Sequence, residues 1–196
     1  MIPDGYTDIA PGKIAAVVTY VEMLVPLPFG DASSSGVSLR RVQNPEAGWY
    51  RSVYRRAGAQ WLWFSRLEMT EEQLIRVLHR PTTELWIAEH EGSEIGIAEL
   101  DRSQPPNVEI RSFALFPEAI GHRLGRAFMT RLLEKAWSGE TTRVWLHTCT
   151  LDGPAALIFY MKCGFRAYKR AIEVADDPRI HGILPADVAP QIPIIR

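Results

Sequence analysis

The chain has 196 residues, 46% of them hydrophobic, and carries a formal net charge of −1. That composition supports a buried core and excludes a disordered polyelectrolyte. It also excludes a protein that neutralises duplex phosphates, because no basic excess exists, so no nucleic-acid partner is expected. The two cysteines, Cys149 and Cys163, have no CxxC spacing. Neither a disulfide framework nor a zinc site is expected, no metal is called for, and two reduced thiols point to a cytoplasmic protein.

The first segment, "KIAAVVTYVEMLVPLPFGDASSS", superficially imitates an export leader. Asp4 and Asp8 spoil its positive start, Glu22 interrupts the apolar run, and Pro26 and Pro28 break it. No uninterrupted apolar run of about 18 residues occurs, so no membrane span is expected. "IAAVVTYVEM" is β-branched and aromatic and reads as a strand. "PLPFGDASSSG" (26–36) reads as a loop. "PEAGWYRSVYRRA" (45–57) reads as a helix, and "MTEEQLIRVLHRP" as a second one, with Thr70 as N-cap, Gln73 three residues on, and Pro81 as stop.

"TELWIAEHEGSEIGIAEL" then reads as two strands around a tight turn, and "NVEIRSFALF" as a third after "QPPN". Leu124, Phe128, Leu132 and Ala136 recur every four residues and mark a helix beginning near His122. "RVWLHTCTL" is a strand, "PAALIFYMKCGF" a short helix, and "RAYKRAIEV" a last strand. The tail, 176–196, is rich in proline and is expected to be extended. The expected order is strand, two helices, three strands, helix, strand, helix, strand. Short turns make the three middle strands antiparallel, and the later helices act as crossovers that permit parallel neighbours. The fold class is α+β, one domain over 1–196 with a mixed, mostly antiparallel central sheet and flanking helices.

The segment "SFALFPEAIGHRLGRAF" holds the first candidate site. A strand ends at Phe116, the chain turns, and a helix begins. A helix start leaves backbone N–H groups unpaired under a positive dipole, a combination that binds phosphate oxygens. Gly121 and Gly125 admit a ligand close to the backbone, and His122, Arg123 and Arg126 add cationic donors. Arg123 lies off the apolar stripe. It is expected in an ordinary helical conformation, with its side chain turned outward toward a phosphate. In the second segment Ala156, Phe159, Tyr160 and Cys163 share a helical face. Phe159 and Cys163 read as core, whereas the Tyr160 hydroxyl needs a polar partner if buried.

Together these segments resemble the Gcn5-related N-acetyltransferase (GNAT) superfamily. "IGHRLG" (120–125) occupies its Q/R-x-x-G-x-G/A signature, and "YMKCGF" (160–165) its second, tyrosine-bearing motif. The order of elements over roughly residues 10 to 175 also matches. "PDGYTDIAPGKIAAVVTYVEM", "WLHTCTLDGPAAL" and "DPRIHGILP" resemble a bacterial subgroup of that superfamily. The chain departs from the signature with Ile120 and with Arg123, where a glycine is usual. Gly153 stands where many members carry Asn.

The resemblance implies a GNAT-like acyl-CoA N-acyltransferase fold and acetyl-CoA as cosubstrate. It assigns the pyrophosphate to the backbone of Gly121, His122, Arg123, Leu124, Gly125 and Arg126. It assigns the pantetheine amides to the strand end Phe113, Ala114 and Leu115. Tyr160 falls near the sulfur, where it protonates the departing thiolate, and Glu109 falls where the histone-acetylating branch carries its general base.

Acetyl transfer requires a neutral amine, yet alkyl ammonium groups titrate near about 10.4, so a base must act. His147, on a strand expected to splay from the one before it, is the alternative base to Glu109. Asp152 reads as an N-cap. Trp61, Trp63 and Phe64 are candidates for an aromatic wall around the acceptor, and Arg55, Arg56 or Arg66 for its carboxylate. The expected reaction is direct attack by a primary amine of a small molecule or peptide on acetyl-CoA in a ternary complex. The competing reading is a non-catalytic acyl-CoA sensor on the same fold. The sequence is compatible with a monomer or a homodimer and names no acceptor.

Overall fold

The computed structural model describes residues 4–26 and 36–196. Most of the expected 26–36 loop therefore lies outside the described residues. Among the described residues seven strands form one sheet: β1 (Lys13–Met23), β2 (Val37–Val42), β3 (Thr83–His90), β4 (Ser93–Gln104), β5 (Asn107–Leu115), β6 (Arg143–Cys149) and β7 (Arg166–Asp176). Four α-helices flank it: α1 (Ala47–Gly58), α2 (Glu71–Leu78), α3 (Leu124–Ala136) and α4 (Ala156–Lys162).

The strand order is β2-β3-β4-β5-β6-β1-β7. β2 is an addition to the expected elements: its short "VSLRRV" alternation pairs antiparallel with β3. The tight β3–β4 turn forms at Glu91 and Gly92, both with positive φ, as a two-residue hairpin demands. The crossover through α3 makes β5 and β6 parallel neighbours. The crossover through α4 does not set β7 beside β6. β1 takes that place instead, antiparallel to both.

Each face of the sheet carries its own core. α3 contributes Phe128, Met129, Leu132, Leu133 and Ala136 to one, where they meet Val108, Ile110, Val144 and Leu146. Tyr50, Val53, Tyr54 and Ala57 of α1, with Leu74 and Leu78 of α2, form the other against Leu85, Ile87, Ile97 and Phe116. The α2 cap is the reciprocal one expected: Gln73 N–H donates to Thr70 Oγ1 at 3.2 Å and Thr70 N–H to Gln73 Oε1 at 2.9 Å. It satisfies two backbone donors at once.

The tail is not extended. It folds into successive turns that bury Leu184 and Ala189 in the α1 core. Arg179 explains how a proline-rich segment does this without a strand ladder. Its Nε and Nη2 donate to Asp177 at 2.9 and 2.7 Å, and its Nη1 donates to the carbonyls of Val188, Ala189 and Ile192. Buried carbonyls that no strand pairs are thereby satisfied by one guanidinium. The same ion pair, more than the opposing burial, holds the Asp177 carboxyl below its usual range.

Candidate active site

β5 and β6 pair only from Asn107–Glu109 to Arg143–Trp145, although β5 runs on to Leu115 and β6 to Cys149. The divergence has a local cause. Ser112 faces Glu99 and Ile110 faces Leu100, so Arg111 is an extra residue in β5, and such a bulge bends its strand. β6 is held on its other side by β1, through Val18–Met23. Beyond Glu109 the β6-facing edge of β5 thus has no strand partner among the described residues.

The wedge between the strands is a cavity of about 650 Å³, within the range of small-molecule sites. One wall is the β5 stretch Ser112, Phe113, Ala114 and Leu115; the other is Leu146, His147 and Cys149 of β6. Phe159 and Tyr160 of α4 close one side, with Gly125 of α3, and Trp61, Trp63, Phe64 and Arg66 close the other. The expected residues Phe113, Ala114, Leu115, Gly125, Tyr160, His147, Trp61, Trp63 and Arg66 therefore converge on one space.

Tyr160 is nearly buried, and its hydroxyl has no hydrogen-bond partner among the described residues. None of the described residues supplies the polar partner expected for it, and Tyr160 borders the cavity. Burial, reinforced by Asp152 and Cys163, raises its pKa, so the phenol stays a proton donor at neutral pH. Cys149 borders the same cavity, and burial followed by the charge of Asp152 pushes its thiol up to about 11. A thiol in that state is a poor nucleophile near neutrality.

Glu109 is buried but does not border the cavity. Its carboxylate accepts from Arg111 Nη1 at 3.2–3.3 Å and stands 3.7 Å from His147 Nδ1. Of the two expected bases, then, only His147 is exposed to the cavity, with Glu109 behind it. The His147 ring also lies against Tyr20, 5.5 Å between centroids. The expected cap role of Asp152 is not found: α4 has Ala155 at its N-cap position. Asp152 instead accepts from Thr148 Oγ1 at 2.6 Å, Cys149 N at 2.9 Å and Trp63 Nε1 at 3.2 Å. It ties the end of β6 to the aromatic wall.

The loop ahead of α3 differs from expectation in its backbone. The helix starts at Leu124, not near His122, and Arg123 is its N-cap with φ 62° and ψ 16°. That is left-handed space, which costs an L-residue roughly 1–2 kcal/mol and glycine little. This is the physical reason for glycine at that position, and the ordinary helical conformation expected for Arg123 is not what it adopts. Gly121 is also left-handed, at φ 90°. Gly121, His122, Arg123 and Arg126 are exposed, and among the described residues no side chain caps α3, so its first N–H groups are left without a side-chain acceptor near Gly125, which borders the cavity. Arg126 spends one donor on the Lys162 carbonyl, at 3.2 Å.

At the other end lies a buried ionic cluster that the sequence reading missed. Glu99 is 1% exposed; its Oε1 accepts from Arg66 and its Oε2 from Tyr50 at 3.0 Å. Arg66 is thus committed to Glu99 instead of free to grip an acceptor carboxylate. Burial lowers the Arg66 pKa, but Glu99 more than offsets it and the net shift is upward. Beside them the Ser112 hydroxyl is buried without a partner among the described residues. The signal was a lone glutamate in the otherwise apolar "IGIAEL". Trp63 packs so closely on the end of α1 that a Cβ at Gly58 would lie 2.3 Å from its ring. Trp61 crowds Gly153 similarly: a Cβ there would approach it to 3.3 Å.

Among the described residues no cluster of His, Cys, Asp or Glu is placed to hold a metal ion, and no helix is long and apolar enough to cross a membrane.

A bulged strand, a parallel neighbour that splays from it and a helix start at the opening define an acyl-CoA N-acyltransferase fold of the α+β class. The model of the acetyltransferase (GNAT) family matches residues 48–165, and the chain belongs to that family. No curated protein matches it significantly. Solved structures of similar fold include spermidine N-acetyltransferase from Vibrio cholerae, in complex with CoA and spermine. That match has 17% identity and a TM-score of 0.55, over 73% of this chain and 98% of that one. A GCN5-related N-acetyltransferase from Sphaerobacter thermophilus matches at 14% identity and TM-score 0.58, over 90% of this chain but 53% of that one. A functionally unknown conserved protein from Staphylococcus epidermidis matches at 13% and 0.55, over 85% of this chain. This chain spans 64% of that protein's length. At these identities the likeness is one of fold.

Proposed function

We propose that the protein is an acetyl-CoA-dependent N-acetyltransferase acting on a primary amine by direct transfer. The observation that carries the proposal is the opening between β5 and β6, bordered by His147 and by the Tyr160 hydroxyl, which has no hydrogen-bond partner among the described residues. Bound acetyl-CoA supplies the thioester to be attacked. Its pantetheine amides fit the open edge of β5 at Phe113–Leu115, which offers strand-like donors and acceptors. Its pyrophosphate fits the N–H groups that begin α3, with Gly121, His122, Arg123, Leu124, Gly125 and Arg126 around it.

The remaining chemistry falls to side chains. His147 accepts the proton that the acceptor ammonium must lose, and Glu109, 3.7 Å behind it, orients the imidazole and balances its charge. The N–H near Leu115 stabilises the developing oxyanion. Tyr160 gives its proton to the leaving sulfur, a role supported by a pKa raised through burial. The high thiol pKa of Cys149 favours direct transfer over an acyl-cysteine. The acceptor lies against Trp61 and Trp63, over the Arg66–Glu99 pair.

The test is thiol release from acetyl-CoA with a panel of primary amines. Tyr160→Phe is expected to lower kcat about 10- to 100-fold, the low end for general acids because a thiolate leaves readily. Its melting temperature should not change, since the hydroxyl holds no partner. His147→Ala is expected to lower kcat by about 100-fold and to be partly rescued by added imidazole. Tight acetyl-CoA binding with no turnover on any amine would instead support the acyl-CoA sensor.

A further inference from the structure

β7 ends the sheet, and no strand among the described residues pairs with its outer edge. Along its whole length only Ala171 and Ala175 are even partly covered. No proline interrupts it. Tyr168 is an extra residue opposite Tyr20 and Val21, but from Lys169 to Asp176 the pairing with β1 is regular, and a long, open, regular edge is a template for another strand.

The pairing of β7 with β1 fixes what each face presents. Ile172 lies opposite Val17, and Val174 opposite Ala15. Val17, Ile172 and Val174 are all exposed, so an apolar stripe faces solvent on the side away from the cavity. On the cavity side, Lys169 lies opposite Tyr20, and Glu173 opposite Ala16. Lys169 Nζ sits 4.5 Å from the Tyr20 ring centroid and has no carboxylate partner among the described residues. Glu173 borders the cavity and has no cationic partner there either.

We propose that β7 pairs with β7 of a second copy of this chain, antiparallel, about a two-fold axis at Ala171. In that register each residue faces the one equally far on the other side of Ala171. Lys169 faces Glu173 of the second copy and Glu173 faces its Lys169, giving two symmetric ion pairs. Arg170 faces Ile172, and the two Ile172 side chains become diagonal neighbours that extend the apolar stripe across the axis. Neighbouring registers lack this match. An axis at Arg170, Lys169 or Glu173 sets a like charge opposite itself. An axis at Ile172 sets Lys169 against Ala175 and Arg170 against Val174. The charges along "KRAIE" therefore select one isologous register. The two sheets become continuous, and each cavity rim gains a cation, Lys169 of the other copy, beside Glu173.

The test is sedimentation velocity across a concentration series, with folding of each variant checked by circular dichroism. The wild-type protein is expected to sediment as a dimer. Lys169→Glu and Glu173→Lys should each weaken association by about tenfold or more, because each reversal acts twice across the axis. The double variant, Lys169→Glu with Glu173→Lys, re-forms opposite pairs and should recover the wild-type dimer. A wild-type monomer at all concentrations would overturn the proposal. So would folded single variants that dimerise normally, or a folded double variant that stays dissociated.

Discussion

The Arg66–Glu99–Tyr50 cluster offers a stringent test of the energetics. Glu99 is 1% exposed and holds two donors, a guanidinium and a phenol. Arg66→Met keeps much of the side-chain volume but leaves the carboxylate with the Tyr50 hydroxyl alone. The lost charge-assisted hydrogen bond is worth roughly 1.5–3 kcal/mol. The uncompensated buried charge raises the total to about 3–5 kcal/mol. For a chain of this size that corresponds to a fall in Tm of roughly 6–20 °C. Urea denaturation with thermal melts measures it. The same reasoning requires recovery when the charge and its last partner are removed as well. Arg66→Met with Glu99→Met and Tyr50→Phe should regain most of the loss, because well-packed apolar replacements of buried ion pairs are often neutral. A single variant that loses less than about 1 kcal/mol, or a triple variant as unstable as the single, would refute the reasoning.

Cys149→Ser should keep activity within about threefold in the thiol-release assay, since a thiol pushed up to about 11 does not carry the acyl group; loss of turnover would point to an acyl-cysteine. Arg123→Gly should act with opposite signs on two readouts. Relief of the left-handed backbone, less the added freedom of the unfolded chain, should stabilise the free protein by under about 1 kcal/mol. Titration calorimetry should meanwhile show acetyl-CoA binding weakened roughly three- to tenfold as a charge-assisted contact is lost. Asp177 has a depressed folded-state pKa, so its contribution is present above the ordinary carboxylate value of about 3.9 and is lost as pH falls below it. Asp177→Asn should lower stability at pH 7, narrow its difference from wild type near pH 3, and expose the tail to protease.

The fold was legible wherever local signals agreed with long-range packing. The α2 cap, the Glu91–Gly92 hairpin and the α3 stripe carry their own physics in a few neighbouring residues. The position of β1 carries no such mark. Its alternation shows a strand with one face buried, but its partners are fixed by the distant β6 and β7. β2 was missed because six residues with two arginines give a weak period-two pattern. At the site, Tyr160 and the strand end Phe113–Leu115 could be named because motif spacing holds them. Glu109 could be placed on its strand, but whether it reached the cavity depended on the extra residue Arg111, which only the β4 register reveals. The sign of φ at Arg123 was hidden for a similar reason: a glycine there would have announced the turn, and an arginine does not.

The threading of β1 has a consequence for how the chain is made. Val18 finds its partner in Cys149. At roughly 5–20 residues per second, β1 leaves the ribosome on the order of ten seconds before β6 exists. During that interval β2 to β5, with α1 and α2, can already associate through short connections, while "IAAVVTYV" waits with no strand to join. Contacts of such long sequence separation are slow to form. β1 therefore lacks both of its strand neighbours, β6 and β7, until the last third of the chain arrives, and the wall of the cavity that β6 forms is fixed only then.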